Sequence, residues 1–450
     1  GDTTVSTGTL QVGAGSTTGS LVGDVVNNAT VVFDRSDASS YAGVISGSGA
    51  VRKDGAGVLS LTGVNTYTGD TSILGGTVKL DGAAQLGSGT YAGAISIASG
   101  TTLQYSSSAA QTLSGVMSGA GSLLKDTASS TLTLTAANTY TGDTTVSTGT
   151  LQVGAGSTTG SLISDVVNNA TLVFNRSDAS SYAGVISGSG AVSKDGAGEL
   201  SLTGANTYTG VTTITSGTLN IAAGGSAGSL VSDVLNNATL VFERSDDYSY
   251  TGAISGSGEL KQSGSGVLSL SGVNSYTGGT VFEAGVLEAG SVAALSSSGV
   301  LGFSGGTLRY SANNQVDYSS RLSATANAYR IDTAGQSVTF ATGLTANSAS
   351  MTKLGLGSLT LTANNTYTGA TNIFAGNLNV GTGGASGSLS SSALVLGEGV
   401  QLTYHRAGAL DIRHASITGL GSLVAKSDQA SISIRSNIDL IGNASNVSLS

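Results

Sequence analysis

Five near-identical pentapeptides constrain this chain more than any other feature. Asn-Thr-Tyr-Thr-Gly stands at residues 65–69, 138–142, 206–210 and 365–369, and Asn-Ser-Tyr-Thr-Gly at 274–278. The asparagines of successive copies lie 73, 68, 68 and 91 residues apart. A coil of about 22.7 residues accounts for all four spacings: three coils for 68, four for 91, and three with a short extra loop for 73. Periods of this size belong to stacked arrays, in which each unit buries its apolar face only against its neighbours.

Residues 1–69 match residues 142–210 at an offset of 141. The exchanges are Val22/Ile163, Gly23/Ser164, Val31/Leu172, Asp34/Asn175, Arg52/Ser193, Val58/Glu199 and Val64/Ala205. Such agreement marks an internal duplication. Gly1 falls where the glycine of the pentapeptide falls in the second copy, so the expectation is that the chain starts inside a repeat of a longer parent.

Within a unit the pattern alternates with period two between Gly, Asn and Asp punctuation, and no helical period competes. Before each pentapeptide, Leu59/Leu61, Leu132/Leu134, Leu200/Leu202, Leu268/Leu270 and Leu359/Leu361 are expected to point inward. Ser60, Thr133, Ser201, Ser269 and Thr360 between them are expected to point out, and the Val58/Glu199 exchange fits a solvent-facing position. There is no proline in 450 residues, which suits a chain made almost entirely of paired strands, because proline cannot donate to a ladder. The hydrophobic fraction of 39% is too high for a disordered Gly/Ser chain. Many short strands with too few residues between them for helices predict an all-β parallel β-helix (β-solenoid) of about twenty coils. It should run as one continuous unit through residues 1–450, with less regular coils at 281–344 and 381–450.

In that architecture the pentapeptide reads as strand, corner, strand. Asn hydrogen-bonds nearby backbone, Gly supplies positive φ, and Thr-Tyr-Thr is β-forming. Whole-number spacing would set Tyr67, Tyr140, Tyr208, Tyr276 and Tyr367 along one edge.

The string GAVSKDGAGELSLTGANTYTGVTTITSGTLNI resembles the passenger-associated transport repeat of Gram-negative autotransporters: a lysine, then Gly-x-Gly, a Leu-x-Leu strand, Gly-x-Asn-x-Tyr-x-Gly-x-Thr and a closing Gly-Thr-Leu strand. The resemblance recurs in five units between Ala50 and Val380, with Lys53, Lys125, Lys194, Lys261 and Lys353 taken as the repeated lysine. It fades over 281–344 and after Gly381, where SISIRSNIDLIGN stands in place of another pentapeptide. The resemblance implies a right-handed β-helix, placed at the cell surface or secreted through its own C-terminal outer-membrane β-barrel. A chain without cysteine suits that route.

Little in the sequence points to chemistry. With no cysteine there is no thiol nucleophile or thiolate metal site. A net charge of −9 argues against nucleic acid. The two histidines, His405 and His414, lie in a segment that aligns with the one around Asp34, and His405 falls on a position held elsewhere by Asp, Asn or Glu. The Gly-x-Ser-x-Gly string at 224–228 lacks a following helix and Asp/His partners in a usable order. Neither a calcium-binding nonapeptide nor a phosphate loop is present. The expectation is a non-enzymatic chain with no cofactor, no metal and no catalytic residues. One polar pattern does recur, Arg-x-Asp-x-x-x-Tyr, at Arg35/Asp37/Tyr41, Arg176/Asp178/Tyr182 and Arg244/Asp246/Tyr250. These three stations are expected to stack on one side and form an adhesive contact stripe for host or bacterial surface glycans or proteins. Self-association is a further expected contact. The alternative is a passive stalk that presents an upstream effector domain.

Overall fold

The computed structural model describes residues 1–428, 431–440 and 447–450, so the last three residues of SISIRSNIDLIGN lie outside the described residues. Regular structure consists of short β-strands, with 3-10 turns at Gly87–Gly89 and Ser319–Arg321 and no α-helix among the described residues. The strands pair in parallel and stack as a β-solenoid of about 21 coils. The chain forms two compact units, Gly1–Ala223 with Ala227–Ala238, and Gly224–Ser226 with Thr239–Ser450.

Besides two short ladders, Thr3–Val5 with Val25–Asn27 and Ile45–Ser46, and Ser180–Tyr182 with Glu199–Leu202 and Thr218–Ile221, three longer ones run through the first unit. One carries Ser39–Tyr41, Val58–Leu61, Thr77–Leu80 and Thr102–Tyr105, then the first halves of Ser122–Leu134 and Thr144–Ser157, then Val166–Asn168. A second carries Gln111–Leu113, the second halves of the same two long strands, Thr171–Arg176, Ala191–Lys194 and Thr212–Ile214. The third carries Thr9–Ser16, Thr30–Arg35, Ala50–Lys53, Thr71–Ile73 and Ile95–Ile97. In the second unit the longest ladder starts at Tyr248–Tyr250 and ends at Asn437–Leu440, and another runs from Ser337–Phe340 to Val447–Leu449. Partners lie 19 to 25 positions apart, from Val58 opposite Thr77 to Thr77 opposite Thr102.

These pairings correct the coil length. The strand after the pentapeptide begins at Thr71 on the third ladder, at Thr144 on the first and at Thr212 on the second. Successive copies therefore step to the next ladder. From Thr144 the first ladder passes through Val166 and Ile186, and Thr207 N–H then donates to Ile186 C=O at 2.9 Å before Thr212 joins its neighbour. Sixty-eight residues thus make three coils and one further face, at 20–22 residues per coil along this path, and the pentapeptide tyrosines share no common edge.

The ten leucines of the Leu-x-Leu strands are buried, as the alternation requires. Of the residues between them, Ser60, Thr133, Ser269 and Thr360 are half-buried on the outer face. Ser201 departs from the expectation. It is covered, its hydroxyl donating to Glu199 Oε1 at 3.2 Å, while Asn220 Nδ2 reaches the same oxygen at 3.1 Å.

The asparagine and tyrosine of the pentapeptide face inward, and the residues on either side of the tyrosine are exposed. All five of its tyrosines are buried, and each hydroxyl meets the threonine four residues on at 2.6 or 2.7 Å. The asparagine joins coils. Asn206 Oδ1 accepts Ile186 N–H from the coil before at 2.9 Å, and its Nδ2 donates to Ser229 C=O in the coil after at 3.2 Å. Asn65, Asn138, Asn274 and Asn365 repeat the arrangement. The closing glycine does not take positive φ, contrary to expectation. It is required because a Cβ at Gly210 would meet Gly190 O at 2.3 Å, and the other four copies face the same obstruction.

The repeated lysine is also interior. Lys53, Lys125, Lys194 and Lys353 are buried, each with its ammonium on backbone carbonyls of its own corner and of the next coil. Lys353 Nζ donates to Leu354 O, Gly355 O and Ala375 O at 2.9, 2.7 and 3.1 Å. The fourth unit corrects the sequence alignment: Gln262 occupies the clamp, donating to Gly264 O and Gly266 O, while Lys261 turns outward between Glu259 and Glu283.

Three measurements test this interior. Leu200→Asp or Leu202→Asp places a charge in a dry core and is expected to cost several kcal/mol, with protease nicking confined to the neighbouring coils. Asn206→Ala leaves the buried Ile186 N–H without its acceptor and should lower stability by about 1–3 kcal/mol, seen as lost exchange protection at that amide. The third is alkaline titration. Burial lowers the Lys353 ammonium to about 8 against an ordinary 10.5, so between those values the unfolded chain holds more protons and stability rises with pH. Burial raises the Tyr67 and Tyr140 phenols to about 12, so above 10 the unfolded chain ionises first and stability falls. Thermal midpoints should climb from pH 8 to 9.5 and drop by pH 11. Lys353→Gln, which installs the residue found at the fourth clamp, should shrink the climb and leave the drop.

Candidate functional site

The recurrent Arg-x-Asp pattern forms where the chain leaves a ladder. In the first station Phe33 ends the inward alternation of Thr30–Arg35, and Arg35 then folds onto a loop closed by Gly19. Gly19 has φ +101°, and a Cβ there would meet Gly13 N at 2.5 Å, so the loop folds back tightly only with glycine. Arg35 Nε and Nη2 grip Asp37 Oδ1 and Oδ2 at 2.9 and 2.8 Å, and Nη1 donates to Gly19 O at 2.7 Å. Arg176 repeats this on Asp178 at 3.0 and 2.8 Å and on Gly160 O at 2.8 Å. Arg244 grips Asp246 with two bonds of 2.9 Å and donates to Ser226 O.

The guanidinium is the sheltered partner and the carboxylate the outward one. The arginine side chains are 18, 19 and 12% exposed, against 39, 37 and 45% for their aspartates. The two-pronged arginine bond holds each of the three carboxyls below its ordinary range, so the stations carry fixed negative groups at neutral pH. Tyr41, Tyr182 and Tyr250 are buried, with ring centroids 5.9, 5.5 and 5.4 Å from Phe33, Phe174 and Phe242. Tyr41 and Tyr182 donate their hydroxyls to Gly23 O and Ser164 O. The aromatic member expected at the surface is therefore core. In the first unit Arg35 ends a strand of the third ladder and Arg176 one of the second, so these two stations do not stack on one side.

Beside each arginine lies a cleft. The first is lined by Leu21, Phe33, Arg35, Ser39, Tyr41 and Leu59 among others and holds about 190 Å³. Its counterpart, lined by the same residue types displaced by 141 positions, holds about 20 Å³. In the third station Tyr248 stands where Ser39 and Ser180 stand, its ring 4.6 Å from the Arg244 guanidinium and 6.0 Å from Phe242, and the cleft there, lined by Phe242, Arg244, Tyr248, Gln262 and Leu268 among others, has no room for a water molecule. The Ser-to-Tyr exchange is visible in the sequence, but its meaning requires the cleft.

The histidines occupy two settings. His405 lies half-buried on the outer surface with Nε2 3.0 Å from Asp428 Oδ1. His414 is interior, Nε2 2.9 Å from Tyr404 Oη and Nδ1 2.8 Å from Ser391 O, and burial lowers its pKa. Among the described residues no group of three or more His, Cys, Asp or Glu is placed to hold a metal ion.

The family described as passenger-associated-transport-repeat matches residues 51–80, 129–153, 192–221, 260–289 and 351–380, each stretch containing the Leu-x-Leu strand, the pentapeptide and the strand after it. The Adhesin BmaC autotransporter of Brucella suis biovar 1 (strain 1330) is 39% identical over 197 residues, covering 39% of this chain and 5% of that protein. The chain thus spans a small part of its relative's length. No solved structure matches. Five such repeats on a parallel solenoid, together with the similarity to an autotransporter adhesin, support an autotransporter passenger domain, which implies a cell-surface or secreted location in a Gram-negative bacterium.

Proposed function

We propose that the chain is an adhesive, non-enzymatic segment of a surface-exposed passenger, held at or released from the cell by its parent's own outer-membrane β-barrel. The observation that carries this reading is the repetition of a preorganised Arg–Asp station with its carboxylate turned outward. A fixed carboxylate offers acceptors to sugar hydroxyls or peptide amides, and each station alone binds weakly. Several stations on a stiff scaffold gain strength only against a repetitive target such as a cell-surface glycan or a protein array. The similarity to a protein named an adhesin supports the same direction.

A second reading, a passive stalk presenting another domain, is favoured by one specific fact. The repeat's Leu, Asn and Tyr are spent on the interior, and among the described residues the outer face carries no repeated aromatic.

The two readings separate on the aspartates. Replacing the arginines would also release the loops at Gly19, Gly160 and Ser226, whereas Asp37→Asn, Asp178→Asn and Asp246→Asn together retain an acceptor for each guanidinium and remove the charge. In the full-length passenger displayed on cells, the triple variant should leave the thermal midpoint within about 2 °C, since exposed pairs contribute roughly 0–1 kcal/mol. Attachment to host cells or to neighbouring bacteria should fall several-fold. Attachment at the parental level would remove the stations from the contact surface and leave the stalk.

A further inference from the structure

We propose that the cleft between the two coils that follow the fourth pentapeptide binds an acidic sugar residue of the hexuronate class. Residues 292–297 supply one wall and residues 316–321 the other, and the volume between them is about 460 Å³. That lies within the roughly 300–1,000 Å³ of small-ligand sites. The cleft is inside the second unit, with a coil holding it on either side. Asn274 N–H in the coil before donates to Ala293 O at 3.0 Å, and Ala341 N–H in the coil after donates to Asp317 Oδ2 at 2.9 Å. Between the two walls Asn314 Nδ2 donates to Ser291 O at 2.6 Å. Both coils belong to the stretch over which the repeat fades, so neither has the pentapeptide at this corner.

Arg321 sets the chemistry. The arginines of the three stations each grip an aspartate, whereas Arg321 pairs with no carboxylate among the described residues. Its guanidinium crosses to the opposite loop, Nε donating to Gly299 O at 2.9 Å, Nη1 to Ser296 O and Nη2 to Ser298 O. A guanidinium has five N–H groups, so donors remain for a ligand. Burial lowers its pKa, and an anion alongside would offset part of that cost. On the same wall Asp317 is exposed, its carboxylate fixed by Ser319 N–H on Oδ1 at 2.8 Å and by Ala341 N–H on Oδ2. Each oxygen keeps a lone pair for a ligand hydroxyl. Ser297 and Ser320 line the cleft with exposed hydroxyls, and the exposed Val292 and Val316 add an apolar surface. One carboxylate, several hydroxyls and a C–H face together describe a hexuronate ring. A polyanion is opposed by Asp317, a neutral hexose leaves Arg321 unanswered, and an aromatic ligand finds no ring to stack on because Tyr318 is buried under the guanidinium. Sugar capture here is independent of the Arg–Asp stations, which lie on other coils, so either can fail alone.

The test is titration of glucuronate and galacturonate into the purified chain, followed by saturation-transfer NMR, with glucose, galactose and acetate as comparisons. At least one uronate should bind in the millimolar range, roughly tenfold tighter than its neutral hexose, the margin of one hydrogen bond to a charged group. Ser297→Phe fills the cleft from a side chain that takes no part in the Arg321 bonds and should abolish binding, and Ser320→Phe should do the same from the other wall. Thermal midpoints near the parent's show that the loss is occlusion rather than unfolding. Arg321→Gln, which keeps a donor toward the loop and removes the charge, should erase the preference for the uronate over the hexose. Absence of uronate binding, equal binding of uronate and hexose, acetate binding as tight as the uronate's, or uronate binding that survives both plugs overturns the proposal.

Discussion

The solenoid depends on satisfying polar groups where its corners turn through a dry interior. A corner interrupts the ladder, leaving N–H and C=O groups that water cannot reach, and each such group left unpaired costs about 1–3 kcal/mol. The pentapeptide asparagine answers this across coils, accepting from the coil before and donating to the coil after. That geometry requires the backbones to approach closely, which is why the closing residue is glycine: a Cβ at any of the five copies would collide with the preceding coil's carbonyl oxygen. The lysine does similar work at another corner. Its buried ammonium draws together carbonyls of its own corner and of the next coil, and Gln262 shows that a neutral donor of similar reach serves in the same place.

Much of this was legible in the sequence, and the limits have physical causes. Strand identity and inward register followed from period-two alternation, because a one-residue slip would turn every leucine to water. Coil length did not follow. Spacings of 68 and 91 fit whole numbers of coils near 22.7 residues, yet they equally fit three and four coils plus one face of a shorter coil. All three faces carry the same alternation, so sequence spacing alone cannot tell a full coil from a coil and a third. Every error about edges descends from that ambiguity, including the common line of tyrosines and the one-sided stack of Arg35 and Arg176. Lys261 was misplaced for a local reason. In GELKQSG the lysine stands one position early, and a single step along a strand exchanges inside for outside.

The Arg–Asp pair was readable, since residues two apart in an extended chain share a side, and Arg52/Asp54 and Lys79/Asp81 use the same spacing. Its tyrosine was misassigned for want of the correct coil. With a spacing of 20 residues Ser39–Tyr41 falls opposite Leu59–Leu61, and Tyr41 pairs with a core leucine rather than facing solvent. The sequence could not show that the arginine is sheltered and the aspartate exposed, because that depends on a loop folded back by Gly13 and Gly19.

The duplicated segments show where such a chain is free to change. Of the seven exchanges between residues 1–69 and 142–210, Val31/Leu172 lies in the core and stays apolar. Val22/Ile163, Asp34/Asn175, Arg52/Ser193, Val58/Glu199 and Val64/Ala205 are exposed or half-buried, and they alter charge, size or polarity without touching the bonds that the pentapeptide asparagine and the repeated lysine make between coils. The remaining exchange, Gly23/Ser164, sits at the loop beside the arginine, where Ser164 is buried with its hydroxyl 3.1 Å from Thr144 Oγ1. A scaffold whose stability is carried by buried Asn, Tyr, Lys and Gly leaves its outer face weakly constrained by folding. Copies made by duplication can then diverge station by station while the solenoid beneath them stays the same.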